Sequence, residues 1–515
     1  MAVDSLRETR HINRIRAQDV SELWTAQSYR PDITAALAAV RALPSWLPLG
    51  RMCNEPIAQG RTPDYATDGS GYPCLKTKHI TGLIVDDSAP EWVTQECASA
   101  LSKFKVAKST VLMNRSGAGS IGRCSVYLGD AAPLTNEHVL HVRVAAPHDP
   151  CFVAAYLSSW WGERAIEQGI TGSTGQLNLG NEHVSRVPVM ALNSDAQRYI
   201  GDKVRQAERL REYARKLVES VQQYHRSLIP TFRPSKAKWN TFTLSSQAVE
   251  DVIVPHFYPP AVTEYLAGKR NDALSHLCLS IYSGETYDPD DQGVDQATSR
   301  SCSGRFLKRP CNRVRPPSRA DLDLQPHDLL LTNAAHDKAY IGTDVTYFHG
   351  GARNIPSAKV MVLRPNRSVV PASYLFAYLK TSVGYLQIQS AIRGISAGIR
   401  APDIGTIRVP LPAMSSQDLA LWIATDLKMT DAGASEEAAG VLCDTATLLV
   451  ERLLEGRVTE SDLVAAQKAL EAGDRRADRG ILQSLRQGDA PDAKPQIADL
   501  DGLYALLDRV EGHEK

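Results

Sequence analysis

Two short strings in the chain carry the letters of catalytic or cofactor motifs. GAGSIG at residues 117–122 fits the GxGxxG of a dinucleotide turn, and GISAG at residues 394–398 fits the GxSxG of a nucleophile elbow. Both chemistries depend on the element that comes after the glycines. A pyrophosphate needs the N-terminus of a helix, whereas RCSVYL after GAGSIG reads as a strand. An elbow needs a strand before it and a helix after it, whereas GISAG comes after a helix-like run and precedes Pro402. Both are read as loop glycines.

Other catalytic chemistry lacks its letters. There is no P-loop, no HExxH and no Asn-Pro-Pro-Tyr loop of the adenine-methyltransferase kind; YPPA at residues 258–261 lacks the Asn. His138 and His141 stand three apart in a run that reads as a strand, so alternation places them on opposite faces and makes them poor joint metal ligands. Asp64, Asp86 and Asp87 lie in turn-rich sequence with no downstream Glu-x-Lys to complete a nuclease site. No catalytic residue and no metal site is assigned.

What remains is chemistry of contact. Lys76 and Lys78 are two apart in a predicted strand, which would point both at adjacent phosphates or protect a solvated sheet edge. Arg305, Lys308, Arg309, Arg313, Arg315 and Arg319 form the densest positive run, with no acid inside it and with Pro310, Pro316 and Pro317 to stiffen it. Such a run is either a solvated loop or a preorganised anion contact. Whole-chain charge does not choose, because 58 basic residues balance 58 acidic ones and any basic footprint must be local.

The elements that hold these residues are organised by an internal repeat. Residues 155–189 align without gaps on residues 377–411, with Gly162 opposite Gly384, Gly172 opposite Gly394 and Arg186-Val187-Pro188 opposite Arg408-Val409-Pro410. Upstream, residues 109–128 correspond to 327–348: an apolar strand, an Asn (Asn114 or Asn333), a polar loop, Ile-Gly and a second strand. Gly60-Arg61-Thr62 has a faint echo in Gly284-Glu285-Thr286. At 515 residues the chain exceeds one ordinary core, and the repeat divides it into two copies of one α/β module.

A helical segment comes after each copy. Behind the first, Ile200, Ala207, Ala214, Val221 and Leu228 recur every seven residues, with Leu210, Leu217 and Tyr224 three after, which is an a/d seam. Asp195 is expected to cap this helix and Pro230 to stop it. From residue 198 to 238 the segment holds eleven Lys or Arg against four acids. Behind the second copy the apolar stripe is looser and interrupted by Gly433 and Gly440, each expected to weaken a helix. The end of the chain reads as short helices around a loop, forming either a small docking element or a surface cap.

The expected boundaries are residues 1–45 for an N-terminal arm, 46–193 and 236–412 for the two modules, 194–235 and 413–456 for the helices, and 457–515 for a tail. Hydrophobic content of 43% and charged content of 23%, with mean hydropathy −0.26, describe a soluble globular protein with no membrane role. The charged N-terminus lacks a signal sequence, so a cytoplasmic location is expected. The nine cysteines form no CxxC pair and are read as reduced thiols.

GRTP, YPCLKTKHITG, STVLMNRSGAGSIG, LTNEHVLHVRV, DPCFVAAYLSSWWG and GITGSTGQLNLGNEHVSRVPV, with a long polar helix behind them, form an ordered set. The set resembles the target-recognition module of type I restriction-modification specificity subunits, over roughly residues 49–455. The resemblance implies an α/β (α+β) fold with two tandem target-recognition domains, an antiparallel coiled-coil spacer and pseudo-two-fold symmetry. It implies a non-catalytic subunit that binds double-stranded DNA at a split site and docks adenine methyltransferase subunits, with a restriction or translocase subunit as a further partner. No cofactor belongs to this chain, and S-adenosylmethionine would belong to the methyltransferase. A scaffold of another DNA-targeting defence assembly is the alternative.

On that reading, base contacts are sought where the two copies differ. Arg115 and Ser116 have His336 and Lys338 at the corresponding loop. Gln176 and Asn178 could take adenine, and Arg393 and Arg400 guanine, with turn formation an equal explanation of those loops. The second module departs from the pattern in lacking a clear Thr-Pro turn and in carrying the basic insert.

Overall fold

The computed structural model describes residues 12–17, 20, 23–67, 69–172, 177–233, 243, 255–309, 311–317, 320–393, 398–488 and 493–514. They divide into two compact units, one built from residues 1–210 and 438–515, the other from residues 211–437.

In the first unit, apolar runs such as Val111–Asn114, buried at all four positions, can sit only inside a sheet covered on both faces. The main sheet holds β2 (Ala58–Gln59), β5 (Val111–Asn114), β6 (Cys124–Val126) and β8 (Val139–Val142) in the order β2-β8-β5-β6, all antiparallel. A second sheet sets β3 (Tyr72–Leu75) antiparallel to β4 (Glu91–Val93) and parallel to β7 (Leu134–Thr135). Strands β1 (Trp46–Pro48) and β11 (Pro188–Met190) pair antiparallel, and β9 (Ile170–Thr171) pairs with β10 (Asn178–Leu179).

The helices of this unit's module are α1 (Pro31–Arg41), α2 (Gln95–Ala100), α3 (Pro150–Leu157), α4 (Trp160–Glu167) and α5 (Asn181–Arg186). Helix α3 starts where Pro fits without losing a hydrogen bond and where Asp149 accepts from the Cys151 and Phe152 amides. Helix α1 lies against α4, where buried Arg30 and Arg164 share buried Glu167.

The second unit repeats this plan in three of its four sheets, with an isolated bridge between Arg393 and Gly398 where the first has the β9–β10 pair. Strands β13 (Cys278–Ser283), β16 (Leu329–Thr332), β17 (Val345–Tyr347) and β19 (Val360–Pro365) run in the order β13-β19-β16-β17, again antiparallel. Strand β14 (Pro289–Ala297) is antiparallel to β15 (Asn312–Val314) and parallel to β18 (Asn354–Pro356). Strand β12 (Asn271–Ala273) pairs antiparallel with β20 (Arg408–Pro410). Helices α7 (Pro260–Leu266), α8 (Leu274–Leu277), α9 (Ala372–Leu379), α10 (Ser382–Ser390) and α11 (Ala401–Gly405) complete the module.

The faint glycine echo proves to be structural. The Gly60 amide donates to the Val139 carbonyl at 3.0 Å and the Gly284 amide to the Val360 carbonyl at 3.1 Å. A Cβ at Gly60 would collide with the Thr135 and Asn136 carbonyls, and one at Gly284 with those of Pro356 and Ser357. Each glycine lets the strand entering the module cross the end of the parallel strand, β7 or β18, at backbone contact distance.

A long helix comes after each module in sequence. Helix α6 (Ser194–Leu228) has 35 residues, about 52 Å at 1.5 Å per residue, and α12 (Ser416–Leu454) has 39. Ile200, Ala207, Leu210, Ala214 and Val221 of the expected seam are all buried. The cap of α6 is Asn193, whose side-chain oxygen accepts from the Asp195 amide at 2.8 Å, and not Asp195 itself. In the second unit α6 and α12 share one core, in which Ala214, Val218 and Val221 join Trp422, Met429 and Ala432. Helix α9 begins at Pro371, which has no side-chain acceptor, and Asp426 of α12 supplies one for the Ala372 and Ser373 amides at 3.2 and 2.8 Å.

The tail contains α13 (Glu460–Glu471), α14 (Arg476–Ser484) and α15 (Leu500–Glu514). No helix among the described residues is long and apolar enough to cross a membrane. All nine cysteines are free, and burial pushes the thiols of Cys74, Cys151, Cys278 and Cys302 up to about 12, which keeps them unreactive.

Candidate nucleic-acid interface

In the first unit the fold joins residues that are distant in sequence. Strand β5 ends at Asn114, whose side-chain amide donates to the Thr77 carbonyl at 3.2 Å and ties two loops together. Beyond it, the Arg115 carbonyl accepts from the Leu179 amide at 2.9 Å, and Ser116 forms a bridge with Asn178. Arg115 Nη1 donates to Gln59 Oε1 at 2.7 Å, so its guanidinium is oriented by strand β2. Arg115, Ser116 and Asn178 thus form one surface; Gln176 lies outside the described residues.

A residue that spacing does not single out for this surface is His138. Its Nδ1 lies 2.8 Å from Ser116 Oγ and its Nε2 lies 3.4 Å from Glu137 Oε1. His141 faces the interior, 2.6 Å from the Thr135 hydroxyl, and burial lowers its pKa to about 4. The two histidines do face apart, but His138 lies in the turn before β8 and not in the expected shared strand, and there it completes the polar surface.

The second unit builds the same junction from different side chains. Ala334 and Arg393 both bridge Gly398, and the Ile399 amide donates to the Asn333 carbonyl at 2.8 Å. Asn333 donates to Ser283 Oγ at 2.8 Å and to the Ala358 carbonyl at 3.2 Å, so it ties neighbouring loops together as Asn114 does. Arg393 and Arg400 both pair with Asp403. His336 and Lys338 are exposed on the adjoining loop, which Gln389 holds through the Lys338 and Ile341 carbonyls at 3.0 and 2.7 Å. Most of GISAG lies outside the described residues, and GAGSIG is a turn that leads into β6, with no helix after it.

Lys76 and Lys78 do not share a strand face. Strand β3 stops at Leu75, because the Lys76 amide is taken by the buried ring of His79, at 2.7 Å from Nδ1, and a single 3-10 turn (Thr77–His79) comes next. Lys76 Nζ stacks 3.9 Å from the Tyr65 ring centre and Lys78 Nζ pairs with Glu91 at 2.5 Å. Two-residue alternation applies only while the backbone stays extended.

The basic run is largely neutralised from neighbouring elements. Asp295 of β14 stands opposite Arg313 of β15 in the strand register, 3.8 Å from its Nε, and also pairs with Arg309. Arg309 Nε lies 2.8 Å from Glu437, and Arg305 lies 3.4 Å from Glu436, both on α12. Burial raises the Glu437 carboxyl, but the His349 hydrogen bond and the Arg309 charge outweigh it and hold the pKa below the ordinary value. Lys308, bonded to Ser303 Oγ at 3.1 Å, and Arg315 remain exposed. Arg319 lies outside the described residues. Among those residues, no group of three His, Cys, Asp or Glu could hold a metal ion.

Comparison with family models finds no match, and comparison with curated proteins finds none either. Among solved structures the chain is similar to a type-I restriction-modification system S subunit from M. genitalium, at 12% identity and TM-score 0.38, covering 82% of this chain and 95% of that one. It is also similar to the HsdS subunit from Thermoanaerobacter tengcongensis, at 16% identity and TM-score 0.28, covering 80% of this chain and 97% of that one. A chain from a structure describing assembly and conformational transition of the type I R-M system is similar at 15% identity and TM-score 0.27, over 82% and 97% of the two chains.

Proposed function

We propose that this chain is the sequence-recognition subunit of a type I-like restriction-modification assembly, reading a bipartite site on double-stranded DNA. The observation that carries the reading is the duplicated junction. One scaffold appears twice, and at the same place it presents Arg115, Ser116 and Asn178 in one copy and Arg393 and Arg400 in the other. A binding task performed twice on two different half-sites calls for a repeated frame with different side chains at its reading edge.

In this reading, phosphate contacts set the register and base-edge contacts choose the sequence. Helices α6 and α12 set the gap between half-sites and dock adenine methyltransferase subunits, which bring S-adenosylmethionine and do the chemistry. A restriction or translocase subunit is a further partner, and the assembly works in the cytoplasm in phage defence. The chain by itself transfers no methyl group.

The test is binding of the purified chain to duplex DNA at two salt concentrations, with specific and random competitors. Sequence recognition predicts a steep loss of affinity with salt together with competition by sequence. A scaffold of another defence assembly predicts neither, and methyl transfer by the purified chain alone would contradict the non-catalytic role.

A further inference from the structure

One buried carboxylate organises the reading edge of the second unit. Asp403 is 2% exposed, and its Oδ1 lies 2.5 Å from Arg393 Nη2 and 3.4 Å from Arg400 Nη2, while its Oδ2 lies 3.0 Å from Arg400 Nε. The two arginines flank the loop between residues 393 and 400 and differ in freedom. Arg400 is 65% exposed, whereas Arg393 is 34% exposed, with its guanidinium carbon 4.7 Å from the ring centre of Phe257. Arg393 is therefore held between an aromatic face and a carboxylate. Arg400 is held by the carboxylate alone and keeps N–H groups directed elsewhere, since a guanidinium has five donors.

The first copy lacks the whole arrangement. Residues 171–183, which include Thr171, Asn178 and Asn181 opposite Arg393, Arg400 and Asp403, contain no arginine and no aspartate. A residue needed only to start helix α11 would not require both arginines to differ along with it. Helix α5, which starts two residues later in the aligned copy behind Gly180, forms without such a pair.

We propose that Asp403 is a positioning residue that holds Arg393 and Arg400 as a fork, and that Arg400 reads a guanine in the half-site of the second module. The proposal rests on the DNA-recognition reading. Arg400 meets the N7 and O6 edge, Arg393 supports the adjacent backbone, and Asp403 removes the freedom that would let either guanidinium reach other bases. The half-site of the first module, read by uncharged groups and Arg115, has no counterpart of this fixed guanine.

The experiment selects binding sites for the full chain from a randomised duplex pool, for wild type, Asp403→Asn, Asp403→Glu and Arg400→Gln, with melting temperature measured in parallel. Asp403→Asn is expected to lower the guanine preference at one position of one half-site by roughly tenfold. The other half-site stays as it was, and affinity for random duplex at low salt does not fall, because two arginines lose their neutralising partner. Asp403→Glu restores part of the preference. Arg400→Gln, on an exposed side chain, loses the same guanine without loss of folding. A uniform fall in both half-sites together with a lowered melting temperature, or an unchanged guanine preference in Arg400→Gln, overturns the proposal. A wild-type motif without guanine at such a position also overturns it while leaving the recognition reading intact; no wild-type motif at all overturns both.

Discussion

Lys203 Nζ lies 2.6 Å from Asp478 Oδ1, and both side chains are 2% exposed. The pair joins helix α6 to α14, and Tyr199 and Tyr504 add hydrogen bonds to the same carboxylate at 2.8 and 2.6 Å. The tail is thus fastened to helix α6 by a buried polar centre. Asp478→Asn leaves a buried ammonium without its counter-charge and is expected to cost about 3–5 kcal/mol in denaturant unfolding. Lys203→Met with Asp478→Leu is expected to regain only part, because both tyrosine hydroxyls stay unsatisfied.

The same centre sets a pH dependence. Burial raises the Asp478 carboxyl, but Lys203 and the hydrogen bonds from Tyr504 and Tyr199 outweigh it, so its pKa is lowered on folding. Its stabilisation is fully present above the unfolded value near ~3.9 and is lost as pH falls through the lower folded value. Unfolding free energies of wild type and Asp478→Asn are expected to differ at pH 7 and to converge below about pH 4. A constant difference down to about pH 2 would contradict this.

Gly433 and Gly440 separate helix propensity from packing. A Cβ at Gly433 would lie 2.5 Å from the Cβ and Cγ of His349, whereas one at Gly440 meets nothing within 4 Å. Gly440→Ala is expected to stabilise by up to about 1 kcal/mol. Gly433→Ala is expected to destabilise, because overpacking by about 1–3 kcal/mol exceeds the propensity gain. Thermal unfolding of the two variants checks the opposite signs.

Within the basic run, exposure sorts the arginines. Arg315→Ala and Lys308→Ala are each expected to reduce the salt slope of DNA binding by about 0.9 for one lost phosphate contact. Arg309→Ala, which strips Glu437 and Asp295 of a partner, is expected to lower the melting temperature and to leave the slope nearly unchanged. Equal slopes for all three variants and wild type would place the run away from DNA.

The repeat, the strand order around Asn114 and Asn333 and the seam of α6 are legible in sequence, because each depends on local patterning. Ile200, Ala207, Ala214 and Val221 recur at helical spacing, and they are buried. The illegible features depend on partners remote in sequence. The run at 305–315 contains no acid, yet Asp295, Glu436 and Glu437 reach it from β14 and α12. Lys76 and Lys78 leave their expected shared face because one imidazole, His79, ends the strand early. Asp403 has a local partner in Arg400, three residues before it, but only folding brings Arg393 to it.

If two modules read two half-sites, site selection by the full chain must register changes in one module at a time. Two short sequence blocks separated by a fixed gap are expected for wild type. Ser116→Ala with Asn178→Ala is expected to change one block only, and Arg400→Gln the other only. A single continuous motif, no enrichment, or both blocks changing together with either variant would contradict two-module recognition.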